Sequence, residues 1–135
     1  KNADDDVAAR AKATILIVDD EASVAHATSL LLELEGFEVR VASGKDQALQ
    51  HVAATVPDVI ISDYHLRGRD TGADVVAAVR VRLRSNVPAI FVTGDTSKIA
   101  NADAKLGNAT LLSKPTKVDE LLGAIQRHLG AARAP

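Results

Sequence analysis

Cysteine is absent from the 135 residues. That excludes a disulfide framework and a thiolate metal site, and it is compatible with a reducing cytosol. Aromatic residues are nearly absent too: Phe37, Tyr64 and Phe91 are the whole set, too few to build a stacking platform for single-stranded nucleic acid. An excess of charge of one sign is also missing. The formal net charge is −2, which leaves no basic footprint for a duplex, so no nucleic acid is expected on this domain. No apolar run approaches the roughly 20 residues of a membrane span. No basic stretch leads into a short apolar one, as a secretory signal would require. The expected location is therefore cytoplasmic, with no membrane contact. The chain opens on Lys1 rather than methionine and is expected to come from a longer protein. Its length suits one domain, large enough to bury roughly two-thirds of its unfolded surface without staples.

From Thr14 onward two textures alternate. Short runs rich in β-branched residues occur at Ile15–Val18, Phe37–Ala42, Val59–Ser62, Ala89–Val92 and Thr110–Leu112. Each is almost continuously apolar, as strands buried on both faces of a parallel sheet are. Longer segments with helical spacing lie between them. The first has Ala27, Leu30, Leu31 and Leu34 on one face and stops at Gly36. A second is expected over Lys45–Ala54, a third over Ala73–Leu83 and a weaker fourth over Ser97–Lys105. In the last, Val118, Leu121, Leu122, Ile125 and Leu129 recur at helical intervals, with Thr116 as the expected cap and Asp119 in the first turn. Strands alternating with helices predict a right-handed parallel α/β sheet. Residues 1–13, which hold Asp4, Asp5 and Asp6, are expected to be a linker or tail. The domain is expected over residues 14–130, with a short tail over 131–135.

Ligands of open α/β sheets sit beyond the carboxyl ends of the strands, and the polar residues gather there. Asp19 and Asp20 follow the first strand, Asp63 the third, Thr93 the fourth and Lys114 the fifth. Two carboxylates ~4 Å apart at an effective dielectric of 20 repel by about 4 kcal/mol, so three of them need more cation than Lys114 supplies. An all-oxygen donor set suits Mg²⁺. Each residue taken singly also has an ordinary role: Asp19–Asp20 as a helix N-cap, Asp63 and Thr93–Gly94 in turns, Lys114–Pro115 leading into the last helix. Their joint placement at the ends of the right strands is harder to obtain from capping alone.

Four motifs carry a resemblance to a known family. "ILIVDDE" at Ile15–Glu21, "PDVIISDYHL" at Pro57–Leu66, "FVTGD" at Phe91–Asp95 and "LLSKP" at Leu111–Pro115 resemble, in order and spacing, the response-regulator receiver domains of two-component signalling. The resemblance covers roughly Thr14 to Leu129. It implies a flavodoxin-like, doubly wound, five-stranded parallel sheet in the order 2-1-3-4-5 with about five helices. It also implies a Mg²⁺-dependent reaction in which Asp63 takes a phosphoryl group from a phosphohistidine of a histidine kinase or histidine-phosphotransfer protein. By that resemblance Asp20, Asp63 and the main-chain carbonyl of His65 bind Mg²⁺, and Asp19 acts largely through a metal-bound water. Thr93 hydrogen-bonds one phosphoryl oxygen and Lys114 pairs with another, the Lys114–Pro115 bond being cis in typical members. His65 and Asp95 hold the positions that tune the lifetime of the phosphorylated state. Such a domain catalyses only its own phosphorylation and dephosphorylation.

Two features depart from the family pattern. The position three residues before the lysine, commonly Tyr or Phe, is Leu111; a weaker gate implies a domain that stays monomeric. Arg67, Arg69, Arg80, Arg82 and Arg84 make the loop after Asp63 and the third helix basic, most simply as a solvated face. His26, His51 and His128 are likewise expected on solvated helix faces. For His26 there is an alternative, since phosphodonor proteins dock on the first helix in this family. The acidic leader, the "VTGD" texture and the end soon after the last helix favour the receiver of a hybrid sensor histidine kinase over a free-standing regulator. Two other functions compete: a flavodoxin-like binding module without the chemistry, and an aspartyl-phosphate hydrolase. The hydrolase would want a second acid two residues after Asp63, where His65 stands.

Overall fold

The structure, a computed structural model, describes residues 12–66, 68, 70–94 and 107–133. Five strands are described, β1 (Thr14–Val18), β2 (Glu38–Ala42), β3 (Val59–Asp63), β4 (Ala89–Thr93) and β5 (Ala109–Ser113), with a helix after each of the first three and after the fifth. The described helices are α1 (Ala22–Leu34), α2 (Lys45–Ala54), α3 (Gly72–Leu83) and α4 (Val118–Arg133). All strand pairs are parallel, in the order β2-β1-β3-β4-β5. This is the flavodoxin-like arrangement. The helix expected over Ser97–Lys105 lies outside the described residues. The last helix runs on to Arg133, past Gly130, where the domain is expected to end.

The apolar runs divide between the two faces of the sheet because successive side chains of a strand point to opposite sides. Ile15, Ile17, Ile61 and Ile90 join Ala25 and Leu32 of α1 and Ala124, Ile125 and Leu129 of α4 in one buried cluster. Leu16, Val18, Ile60 and Phe91 join Ala48 and Val52 of α2 and Val75, Val76 and Val79 of α3 in the other.

Helix ends obey local chemistry. Gly36 takes φ +97° beyond the end of α1. Its N–H donates to Glu33 O, and that of Phe37 donates to Leu32 O. This bonding pattern is a Schellman stop, with Phe37 and Leu32 in the same apolar cluster. The start of α3 is closed by a reciprocal capping box: Asp74 N–H donates to Thr71 Oγ1 at 3.2 Å, and Thr71 N–H to Asp74 Oδ2 at 2.8 Å. At α4 the expected Thr116 cap is replaced. The residue before the helix is Lys117, whose N–H donates to Glu120 Oε1, while the Thr116 hydroxyl donates to Ser113 O.

Two expectations about surface faces are corrected, and the fold settles which apolar residues of α1 meet the sheet. In α1 the buried residues are Ala25 and Leu32. Leu30, Leu31 and Leu34 are exposed, Leu34 by 85%, because the helix carries more apolar positions than one sheet-facing stripe accommodates. His51 and His128 are half-buried rather than solvated. The ring Nε2 of His51 lies 2.8 Å from Val41 O, and that of His128 lies 2.8 Å from Thr110 Oγ1. Burial, then the charges of Arg127 and Arg80, lower the His128 pKa from its ordinary value. Arg80 is not part of a free basic face: its guanidinium donates to Val87 O at 2.9 Å and to Asn108 O at 3.0 Å. Each of these side chains reaches a polar group on another segment, a main-chain carbonyl for His51 and Arg80 and a hydroxyl for His128. His26, Arg82 and Arg84 are exposed, as expected.

Candidate functional site

The parallel register sets the site. Val18 of β1 is level with Ser62 of β3, and Asp63 is level with Val92 of β4. The residues leaving β1 therefore arrive beside Asp63, which is the last residue of β3 itself rather than the first after it. Main-chain bonds hold the exits. Asp19 N–H donates to Ala42 O, Tyr64 N–H to Val92 O and Lys114 N–H to Thr93 O. Carboxylate oxygens of Asp19, Asp20 and Asp63 consequently lie within 4.8 Å of one another.

Asp63 is 9% exposed and Thr93 fully buried. One Asp63 oxygen receives the Lys114 ammonium at 3.0 Å, and the other accepts the main-chain N–H of His65 at 3.3 Å. The Lys114–Pro115 peptide is cis. Asp19 does not cap α1. The N-cap residue is Glu21, and Asp19 accepts its N–H at 2.9 Å in an Asx turn. The N-cap role considered for this acid pair is therefore not the one it plays.

Electrostatics make the cluster short of positive charge. Burial raises the Asp19 pKa, and the neighbouring charges of Asp63 and Asp20 add to the rise, against the Glu21 N–H bond and Lys114. For Lys114 burial acts downward. Its hydrogen bond and charge contact with Asp63, with help from Asp19 and Glu21, outweigh that and hold its pKa above the ordinary value. Three carboxylates facing one ammonium form an oxygen-only donor set that fits a hard divalent cation such as Mg²⁺.

Beside the acids opens a cavity of about 570 Å³. Asp19, Asp63 and Lys114 line its floor, and Val24, Leu31 and Leu121 its apolar walls. Leu31, expected on the apolar stripe of α1, was not among the expected site residues. The signal was the excess of leucine on α1. His65 is exposed next to the acids, its ring edge-on to Tyr64 at 5.3 Å. Asp95, Arg67 and Arg69 lie outside the described residues.

Residues 15–126 match the family model for the response regulator receiver domain. The sensory transduction protein RegX3 of Mycolicibacterium smegmatis is 35% identical over 114 residues, covering 84% of this chain and 49% of that protein. The DNA-binding response regulator MtrA of Mycolicibacterium paratuberculosis is 34% identical over 119 residues, covering 85% of this chain and 50% of that one. The solved structure of chemotaxis protein CheY4 of Vibrio cholerae is similar with a TM-score of 0.78 and 34% identity, over 87% of this chain and 98% of its own. The chain spans about half the length of these two curated relatives. By the match of its sequence and fold, the chain belongs to the response regulator receiver domain family.

Proposed function

We propose that this chain is the phosphoacceptor of a two-component relay, with Asp63 as the nucleophile. One observation carries the reading: a nearly buried carboxylate at a strand end, 3.0 Å from the Lys114 ammonium, with two further acids close enough to share a cation. A new P–O bond forms on Asp63 as the P–N bond to the donor imidazole breaks, and the imidazole leaves with the electron pair. Asp20, Asp63 and the carbonyl of His65 would hold Mg²⁺, with Asp19 reaching it through water. When bound, Mg²⁺ offsets the charge of the acids and of the phosphoryl oxygens. The Thr93 hydroxyl and Lys114 serve the remaining phosphoryl oxygens. His65 and Asp95 set how readily water reaches the acyl phosphate, and so its lifetime.

The donor is a histidine kinase or a histidine-phosphotransfer protein, and the location is cytoplasmic. Among the described residues no helix is long and apolar enough to cross a membrane. The donor docks on α1, where Val24, Leu30 and Leu31 lie exposed along and beside the rim of the apolar cavity. MtrA is named a DNA-binding response regulator, which favours a response regulator as parent over the hybrid sensor histidine kinase expected from the chain's texture.

Incubation with acetyl phosphate and Mg²⁺ followed by intact-mass measurement tests the reading, and a stable gain of one phosphoryl group is expected. No gain would leave the binding-module reading, and turnover without accumulation the hydrolase reading. Beryllium fluoride is expected to leave the sedimentation of the domain that of a monomer. Leu111 lies half-buried against the α2–α3 cluster, and a switch moves only by the difference in interaction energy between its states. A dimer on activation would overturn that expectation.

A further inference from the structure

The main chain that carries Asp63 is clamped from two sides, and the tighter side is a glycine. Gly72, the first residue of α3, lies so close to the end of β3 that an added Cβ would stand 2.4 Å from Asp63 O and 2.6 Å from Ser62 Oγ. On the same carbonyl the buried Ser62 hydroxyl donates a hydrogen bond at 2.9 Å. The next peptide is held as well: Tyr64 N–H donates to Val92 O, and Tyr64 O accepts Gly72 N–H at 2.7 Å. From Ser62 to Tyr64 the backbone therefore lies between β4 and the first turn of α3.

We infer that Gly72 is a positioning residue for Asp63. Its missing side chain lets α3 begin directly on the Asp63 carbonyl, and together with the Ser62 hydroxyl it fixes the peptide from which the carboxylate projects toward Lys114 and the other acids. An added Cβ ordinarily keeps 3.4 Å or more from its neighbours, so in a close-packed interior a methyl group at residue 72 requires a displacement on the order of 1 Å. The helix cannot absorb it easily. Its start is locked by the Thr71–Asp74 box, and Val75, Val76 and Val79 are fully buried on the sheet. The displacement passes instead to the Asp63–Tyr64 main chain, hence to the carboxylate and to the neighbouring His65 carbonyl. Nothing comparable surrounds Gly130, whose added Cβ would meet no atom within 4 Å.

The catalytic part of this inference rests on Asp63 being the phosphoacceptor; the positional part does not. Gly72→Ala and, as control, Gly130→Ala are compared with the unaltered chain. Circular dichroism checks folding, intact mass at saturating acetyl phosphate and Mg²⁺ gives the uptake rate, Tyr64 fluorescence gives the Mg²⁺ affinity, and a solved structure gives the Lys114–Asp63 contact. A 1 Å misplacement can cost on the order of 10²-fold in rate. A folded Gly72→Ala is accordingly expected to be slower by roughly ten- to a hundredfold, to bind Mg²⁺ more weakly and to show a lengthened Lys114–Asp63 contact, with Gly130→Ala unchanged. Should Gly72→Ala not fold, Ser62→Ala removes the other half of the clamp without adding bulk, and a several-fold slower uptake at saturation is expected. Unaltered rate, Mg²⁺ affinity and contact in a folded Gly72→Ala overturn the inference. An unaltered rate in Ser62→Ala does the same if the glycine variant is unfolded. If the unaltered chain takes up no phosphoryl group, the phosphoacceptor reading fails, and the solved structures of the variants still decide whether residue 72 positions Asp63.

Discussion

Asp63→Asn is expected to yield a folded chain that takes up no phosphoryl group from acetyl phosphate, whatever the Mg²⁺ concentration. The amide has nearly the shape of the carboxylate, so the end of β3 and its bond to Val92 survive. What it lacks is an anionic oxygen to attack phosphorus and to share a cation with Asp19 and Asp20. Phosphoryl transfer asks the protein mainly for placement and charge compensation, and on the proposed reading Asp63 is the group placed to attack. Stability should move little, or upward. Asp63 contributes to the raised pKa of Asp19, so removing its charge relieves that repulsion. The lost ion pair has a Lys114 side chain 42% exposed, and water screens such a contact to a small net contribution. Intact-mass spectrometry together with thermal unfolding reads both halves. Stoichiometric uptake by the folded variant would remove Asp63 from the reaction.

Phe91→Ala is the substitution expected to damage stability most. Phe91 is 1% exposed in the centre of β4, level with Leu111 of β5 and edge-on to Tyr64 at 5.7 Å. Deleting a buried phenyl ring loses its transfer energy and leaves a cavity, together about 3–5 kcal/mol. A domain of this kind has roughly 5–15 kcal/mol in total, so the variant should lose a large share of it. Urea denaturation is expected to show a much lower midpoint with little change of slope. A loss below about 1 kcal/mol would mean that the α2–α3 side closes over the gap. Tyr64 offers a second readout, because its fluorescence should change when its aromatic neighbour is gone.

Local regularities were legible before any coordinates. Each of the five strands lies where a β-branched run occurs, four of them longer by a residue or two and β2 shorter by Phe37, because a doubly buried strand needs apolar side chains on both faces. Lys45–Ala54 and the stop at Gly36 were readable for similar reasons, since helix ends depend on neighbours within a few residues. Convergence of Asp19, Asp20, Asp63 and Lys114 could be expected once the strands were parallel, because their carboxyl ends then share one edge.

Other features depend on contacts that no short window contains. Which side of α1 faces the sheet is not decided by the helical period, since Leu30, Leu31 and Leu34 satisfy it as well as Ala25 and Leu32 do. Only docking on Ile15 and Ile17 chooses between the two stripes, and Leu31 of the other one lines the cavity beside Asp63. The inward turns of His51, His128 and Arg80 have the same cause: their partners Val41, Thr110, Val87 and Asn108 lie on other elements. Gly72 and Ser62 were silent as letters, because a missing Cβ matters only where another backbone occupies its place. Sequence alone determined the order of elements and the chemistry gathered at one sheet edge, through periodicity and residue type. Tertiary packing decided which surfaces remain open and how tightly Asp63 is held, because close approach between distant segments is a property of the folded chain alone.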